Sequence, residues 1–118
     1  MAIEHDVAQY IAAYTGLALG TDIFAQAFPA DVKYGIYIRV LDEDYEYGKL
    51  NEAIIGCFVT KDNYYDARVL ALQIKDALIA MRGYNGWASG GKASITNLGR
   101  NVAGDEMFVV TATIYNNS

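Results

Sequence analysis

The chain has 118 residues, the size of one compact domain and too short for two catalytic lobes. Hydrophobic residues make up 53% and charged residues 19%, enough apolar material for a core and too little charge for a disordered chain. Fourteen acids against nine bases leave a net charge of -5, the wrong sign for a protein that grips a phosphate backbone by releasing counterions.

In chain order, the sequence opens Met-Ala-Ile-Glu-His-Asp, with acids where a signal peptide needs positive charge. The longest strongly apolar run, 53–59, is far short of the roughly 20 residues that span a bilayer, so a soluble, unexported protein with no membrane contact is expected. Ile3, Val7, Tyr10, Ile11 and Tyr14 recur at three- and four-residue steps and predict a helix that ends at Gly16 or Gly20. The segment 21–28, closed by the only proline, Pro29, suits an edge strand. Next, Tyr34, Ile36, Ile38 and Val40 alternate with Gly35, Tyr37, Arg39 and Leu41 as a half-buried strand does. Residues 42–52 read as a polar, acidic loop, and 53–60 as a second strand.

The strongest helix signal runs from Tyr64 to Arg82, with Ala67, Leu70, Ala71, Ile74, Ala77, Leu78 and Met81 on one face. Asp62 or Asn63 offers an N-cap and Gly83 a stop. Val69, Leu72 and Ile79 widen its apolar surface beyond the stripe of about 100° that one packed face requires, which implies a second buried contact. A turn-rich stretch over 83–91, a strand over 93–98, a hairpin turn over 101–105 and a last strand follow. In that strand Phe108, Val110, Ala112 and Ile114 alternate with Met107, Val109, Thr111, Thr113 and Tyr115. This order predicts an α+β fold: a mainly antiparallel sheet of four or five strands with two helices packed on one face, in a single domain over 1–118.

Motifs that would carry chemistry break at their diagnostic positions. Gly86 to Ala93 matches P-loop spacing through Gly91-Lys92, but Ala93 stands where Ser or Thr must hold magnesium, and the stretch follows a helix instead of preceding one. Asp42-Glu43-Asp44-Tyr45-Glu46-Tyr47-Gly48 starts like an EF-hand, yet its glycine comes one place late and Ala53 stands where the closing acid belongs. These acids read first as a solvated loop; the functional alternatives are a loose cation site or a negative rim past which DNA slides without sticking. His5 has no nucleophile signature around it and reads as a surface or helix-end residue. Cys57, the only cysteine, has no disulfide partner within the chain and sits in an apolar run, where a thiol packs as an inert small hydrophobe. Asn116-Asn117-Ser118 fits a glycosylation sequon that has no consequence without export. Neither a cofactor nor a metal site is expected.

Ten tyrosines and one tryptophan are many for this length. Tyr45, Tyr47, Tyr64, Tyr65, Tyr84 and Trp87 fall in predicted loops or at element ends, where rigid aromatic area favours protein interfaces. Taken with the wide-faced helix and bare sheet edges, this favours an assembly subunit over a monomeric enzyme.

The helix around Asp6-Val7-Ala8-Gln9-Tyr10-Ile11, leading through Leu17-Ala18-Leu19-Gly20 into Thr21-Asp22-Ile23-Phe24, the strand before Asn63, the long helix from Tyr64 and the closing strand pair ending in 108–115 together resemble the tail terminator and minor capsid (head-tail joining) proteins of tailed bacteriophages. The likeness lies in element order, lengths and helix composition over nearly the whole chain. It implies a structural subunit, not an enzyme, that forms a six-fold ring, caps the last ring of tail-tube protein and joins it to the neck and head. The subunit would belong to the virion, after assembly in the host cytoplasm, and DNA would pass its lumen without specific binding. Under that reading Val69, Leu72, Ile79 and Tyr65 are candidate subunit contacts. Asp42, Glu43, Asp44, Tyr45, Glu46, Tyr47, Tyr84 and Trp87 are candidates for the lumen or ring-face loops. The rival expectations are a small-ligand-binding or regulatory α+β dimerisation module, and an enzyme acting through Asp42, Asp44 or Glu46.

Overall fold

In the computed structural model, which describes residues 3–116, the N-terminal stripe forms helix α1 over Ile3–Thr15. Ile3, Val7, Ala8 and Ile11 are buried and Asp6 joins them on the covered face. Tyr14 is half exposed at the last turn, where its ring leans on Tyr10 at a centroid distance of 6.0 Å. Gly16 ends the helix in the left-handed region at φ +79, its N–H donating to the Ala12 carbonyl at 2.9 Å.

Strands β1 (Ile23–Ala25), β2 (Gly35–Glu46) and β3 (Lys49–Lys61) follow, then helix α2 (Tyr64–Ala80) and strands β4 (Arg82–Tyr84), β5 (Trp87–Arg100) and β6 (Glu106–Asn116). They form one sheet in the order β1-β2-β3-β6-β5-β4. The α+β class stands, but the sheet has six strands instead of four or five. It is also mixed, because β1 runs parallel to β2 while every other pairing is antiparallel. The predicted edge strand over 21–28 shrinks to three residues, which is what lets so short a connection cross over to a parallel neighbour.

The alternation seen in the sequence selects the packed face. Ile36 and Ile38 of β2, Ile55, Cys57 and Val59 of β3, and Phe108, Val110, Ala112 and Ile114 of β6 are buried in one core with the covered faces of both helices. Helix α2 starts at Asn63, whose side-chain oxygen accepts the Asp66 N–H at 2.9 Å. It ends at Ala80, two residues before the expected Arg82, because Met81 turns extended and feeds Arg82 and Gly83 into β4. The helices are tied together where the Tyr10 hydroxyl donates to the Ala77 carbonyl at 2.6 Å.

Two expected loops are strands. Over 42–52, β2 and β3 stay paired, Glu43 with Ala53, Asp44 with Glu52 and Glu46 with Lys49, and they run on past the last β6 pairing at Glu52 as a two-stranded arm. Its tip is Tyr47-Gly48, both at positive φ of 53 and 78, as a two-residue type I′ hairpin turn demands. The stretch 83–91 is likewise the β4–β5 hairpin, turning at Asn85-Gly86 with φ 50 and 85. Strand β5 begins at Trp87, six residues before the expected Ala93, and absorbs Gly90-Gly91 as a bulge between Ser89 and Ala93. No helix follows, so the P-loop geometry is absent there. Of the sequon, Asn117 and Ser118 lie outside the described residues.

Candidate functional site

The structure offers surfaces rather than a cleft. The first is the acidic arm. Asp42, Glu43, Asp44, Tyr45, Glu46 and Tyr47 are all exposed, Tyr47 at 97%. Alternate residues of a strand share a side, so Asp42, Asp44 and Glu46 stand on one side of β2 and Glu43 on the other. Among the described residues no group of three or more His, Cys, Asp or Glu side chains is placed to hold a metal ion. The Tyr45 hydroxyl donates to Glu43 Oε2 at 2.8 Å, and this bond to a carboxylate, ahead of desolvation, raises the tyrosine's pKa above its ordinary 10.0. Asp44 sits opposite Glu52 across the arm, a like-charge pair that a structural hairpin has no reason to keep.

The second surface is the outward side of α2. Tyr65, Val69, Leu72 and Ile79 share one stripe at helical spacing, turned away from the buried face. Tyr65 is 74% and Val69 37% exposed, and Leu72 and Ile79 are half-buried. The second buried contact implied by the wide apolar face is therefore not supplied within the described chain.

The sheet face opposite the helices, which the sequence did not mark, carries a second apolar cluster, in which Phe24 and Val109 are buried and Tyr37 and Phe58 half-buried. Phe24, Tyr37, Phe58, Val109 and Thr96 are register partners in one row across five strands. Tyr37 stacks on Phe58 at 4.9 Å and 9°, and Phe28 meets both Phe24 (5.7 Å) and Tyr37 (4.9 Å) edge to face. The signal was present as Tyr37 and Val109 at the positions that alternate with the core residues; only the strand register shows that they share a row. Farther along this face, a shallow depression of about 390 Å³ opens at the β5 bulge, lined by Ile54, Lys92, Ser94, Thr111, Thr113 and Tyr115 among others.

Tyr84 and Trp87 lie at the ends of β4 and β5, on either side of the Asn85-Gly86 turn, and not in a long loop. Both are half-buried against the core. The Trp87 Nε1–H donates to Asp6 Oδ2 at 3.2 Å, Asn85 Nδ2 to Asp6 Oδ1 at 3.4 Å, and the Tyr84 ring lies 5.4 Å from that of Tyr10. Asp6, unmarked in the sequence, thus fastens the β4–β5 hairpin to α1. His5 is exposed on α1. Cys57 is fully buried, and burial pushes its thiol up to about 12, so it stays protonated and unreactive at neutral pH. No helix among the described residues is long and apolar enough to cross a membrane.

No protein-family model matches the chain, and no curated protein matches it significantly.

Proposed function

We propose that this chain is a structural virion subunit of a tailed bacteriophage, a tail terminator that assembles with copies of itself into a ring, most simply of six. The ring caps the tail tube and joins it to the neck and head proteins. One observation carries the reading: the Tyr65, Val69, Leu72 and Ile79 stripe leaves apolar area exposed on the side of α2 that faces away from the sheet, where a monomer gains nothing by placing it. A closed ring is built from heterologous contacts, in which two different surfaces of each copy meet. The α2 stripe and the two different bare edges of the sheet are the surfaces available for such contacts. A net charge of -5 suits a lumen that DNA must traverse without lingering.

Leu72→Asp tests the stripe. Leu72 is only half-buried, so the variant should unfold within about 1 kcal/mol of the parent by chemical denaturation. A buried charge at an apolar contact should at the same time lower the assembled fraction at least about ten-fold, a cost of about 1.4 kcal/mol or more. An unchanged oligomer would remove this surface from the interface.

The depression beside Lys92 and Tyr115 favours a second reading, a small-ligand-binding α+β module that dimerises through its sheet. It is shallow, with polar and apolar residues in equal measure along its rim, unlike the enclosed apolar pockets that hold most small ligands. Thermal stabilisation by a small-molecule library, in a protein that forms dimers but no rings, would select that reading.

A further inference from the structure

We infer that neighbouring copies join edge to edge, the outer edge of the acidic arm on β2 pairing antiparallel with the free edge of β5 in a second copy of this chain. The inference rests on the ring-forming part of the preceding proposal and names the junction. Strand β1 covers β2 only at Ile36, Ile38 and the residue between them, and β4 with Met81 before it covers β5 only from Trp87 to Ser89. Among the described residues, then, β2 from Val40 to Glu46 and β5 from Ala93 to Arg100 each have a strand on one side only. Two bare edges of such length are templates for pairing, and monomeric proteins usually blunt them.

Charge says which edge meets which. Residues 42–52 carry Asp42, Glu43, Asp44, Glu46 and Glu52 against the single base Lys49, whereas 82–104 carry Arg82, Lys92 and Arg100 and no acid. Two arms would repel each other, and so would two β5 edges; an arm on a β5 edge attracts. Direction agrees as well. Following the pairings across the sheet, β2 and β6 point one way and β3 and β5 the other, so a neighbour in the same orientation brings its β2 antiparallel to this β5. Setting Glu46 against Ser94 brings Asp42 to the irregularity of β5 between Asn97 and Gly99. Lys92, in the β5 bulge, then stands at the Glu46 end of the paired segment and Arg100, past the second irregularity, at the Asp42 end. The Arg100 side chain is 72% exposed even though its Nε holds Glu106 at 2.9 Å. The bare part of β2 lies at the arm end of the sheet and that of β5 at the opposite end, so the copies are staggered along the strands. A repeated stagger closes when strands tilt to the ring axis, as they do in barrels.

The test joins cross-linking to charge exchange. Glu46 and Ser94 are both exposed, and Cys57, being buried, does not compete. Glu46→Cys combined with Ser94→Cys, treated with a short bis-maleimide, should give a ladder of covalent multimers, and each single variant no ladder. Glu46→Lys or Lys92→Glu alone should weaken self-association about five-fold or more, and combining the two should restore it. An oligomer like the parent's that gives no ladder and ignores both reversals overturns the edge junction and leaves the ring standing on other surfaces. A parent chain that stays monomeric at every concentration, gives no ladder and is not recruited to the ends of added tail tubes overturns the junction and the ring together.

Discussion

Gly35→Ala is expected to destabilise the protein by about 4 kcal/mol, the sum of a strained backbone and a steric collision. Gly35 opens β2 at φ +131, and a Cβ there would stand 2.5 Å from the Asp22 carbonyl oxygen. That oxygen is not free to move, since it accepts the Ile36 N–H at 2.8 Å where the chain brings β1 alongside β2. Either the substituted strand withdraws and gives up the β1 pairing, or the carbonyl turns and orphans a buried N–H. Gly48→Ala is the matched comparison: its φ is +78, but nothing lies within 4 Å of the added carbon, so it should cost only about 1 kcal/mol. Urea midpoints at constant slope measure both. Equal losses at the two positions would mean that β1 does not press on Gly35 as described.

Phe108→Ala should be nearly as damaging, at about 3–5 kcal/mol for a large side chain removed from a close-packed site. Phe108 is 2% exposed in the common core, and its ring lies 5.5 Å from that of Tyr64 at the start of α2. Phe58→Ala provides the contrast. Phe58 is half-buried on the opposite side of the sheet, stacked on Tyr37 in the aromatic row, and its loss should cost below about 2 kcal/mol in the monomer. A Phe58 variant as unstable as the Phe108 variant would show that this aromatic row, where Phe24 and Val109 are buried, is packed as tightly as the main core.

Both helices and the central strands were legible because each has a core to face. Leu70, Ile74 and Leu78 recur at helical spacing over a buried sheet, and Phe108, Val110, Ala112 and Ile114 alternate over a buried helix, so burial wrote their period into the chain. The arm has no core beneath its outer half. Acids stand on both sides of it, and the short alternation Asp44-Tyr45-Glu46-Tyr47 was outweighed by the charge around it, so its strands come from backbone pairing and a type I′ turn that composition hides. Gly90-Gly91 misled in the same way: two glycines that signal a loop in isolation form a bulge once β6 lies beside them. Strand β1 owes its parallel partner to the Asp22 carbonyl and Gly35, a long-range fit with no local period.

Of the candidate surfaces, the α2 stripe was legible as excess apolar width, and the acidic segment as charge, though not as an arm. Tyr84 and Trp87 read as a loop tip because they flank Asn85-Gly86, yet they stand in strands because that turn is only two residues long. The buried carboxylate that pulls Trp87 inward, Asp6, lies 81 residues away in the sequence. The aromatic row is a property of register, which sets Phe24, Tyr37 and Phe58 side by side only after three strands have paired.

Self-assembly is tested most directly by native mass spectrometry of the unmodified chain over a range of concentrations, with negative-stain imaging of the same samples. Closed rings of one defined copy number, most simply six, are the predicted result. A chain that remains monomeric throughout, and is not recruited to the ends of added tail tubes, would contradict it.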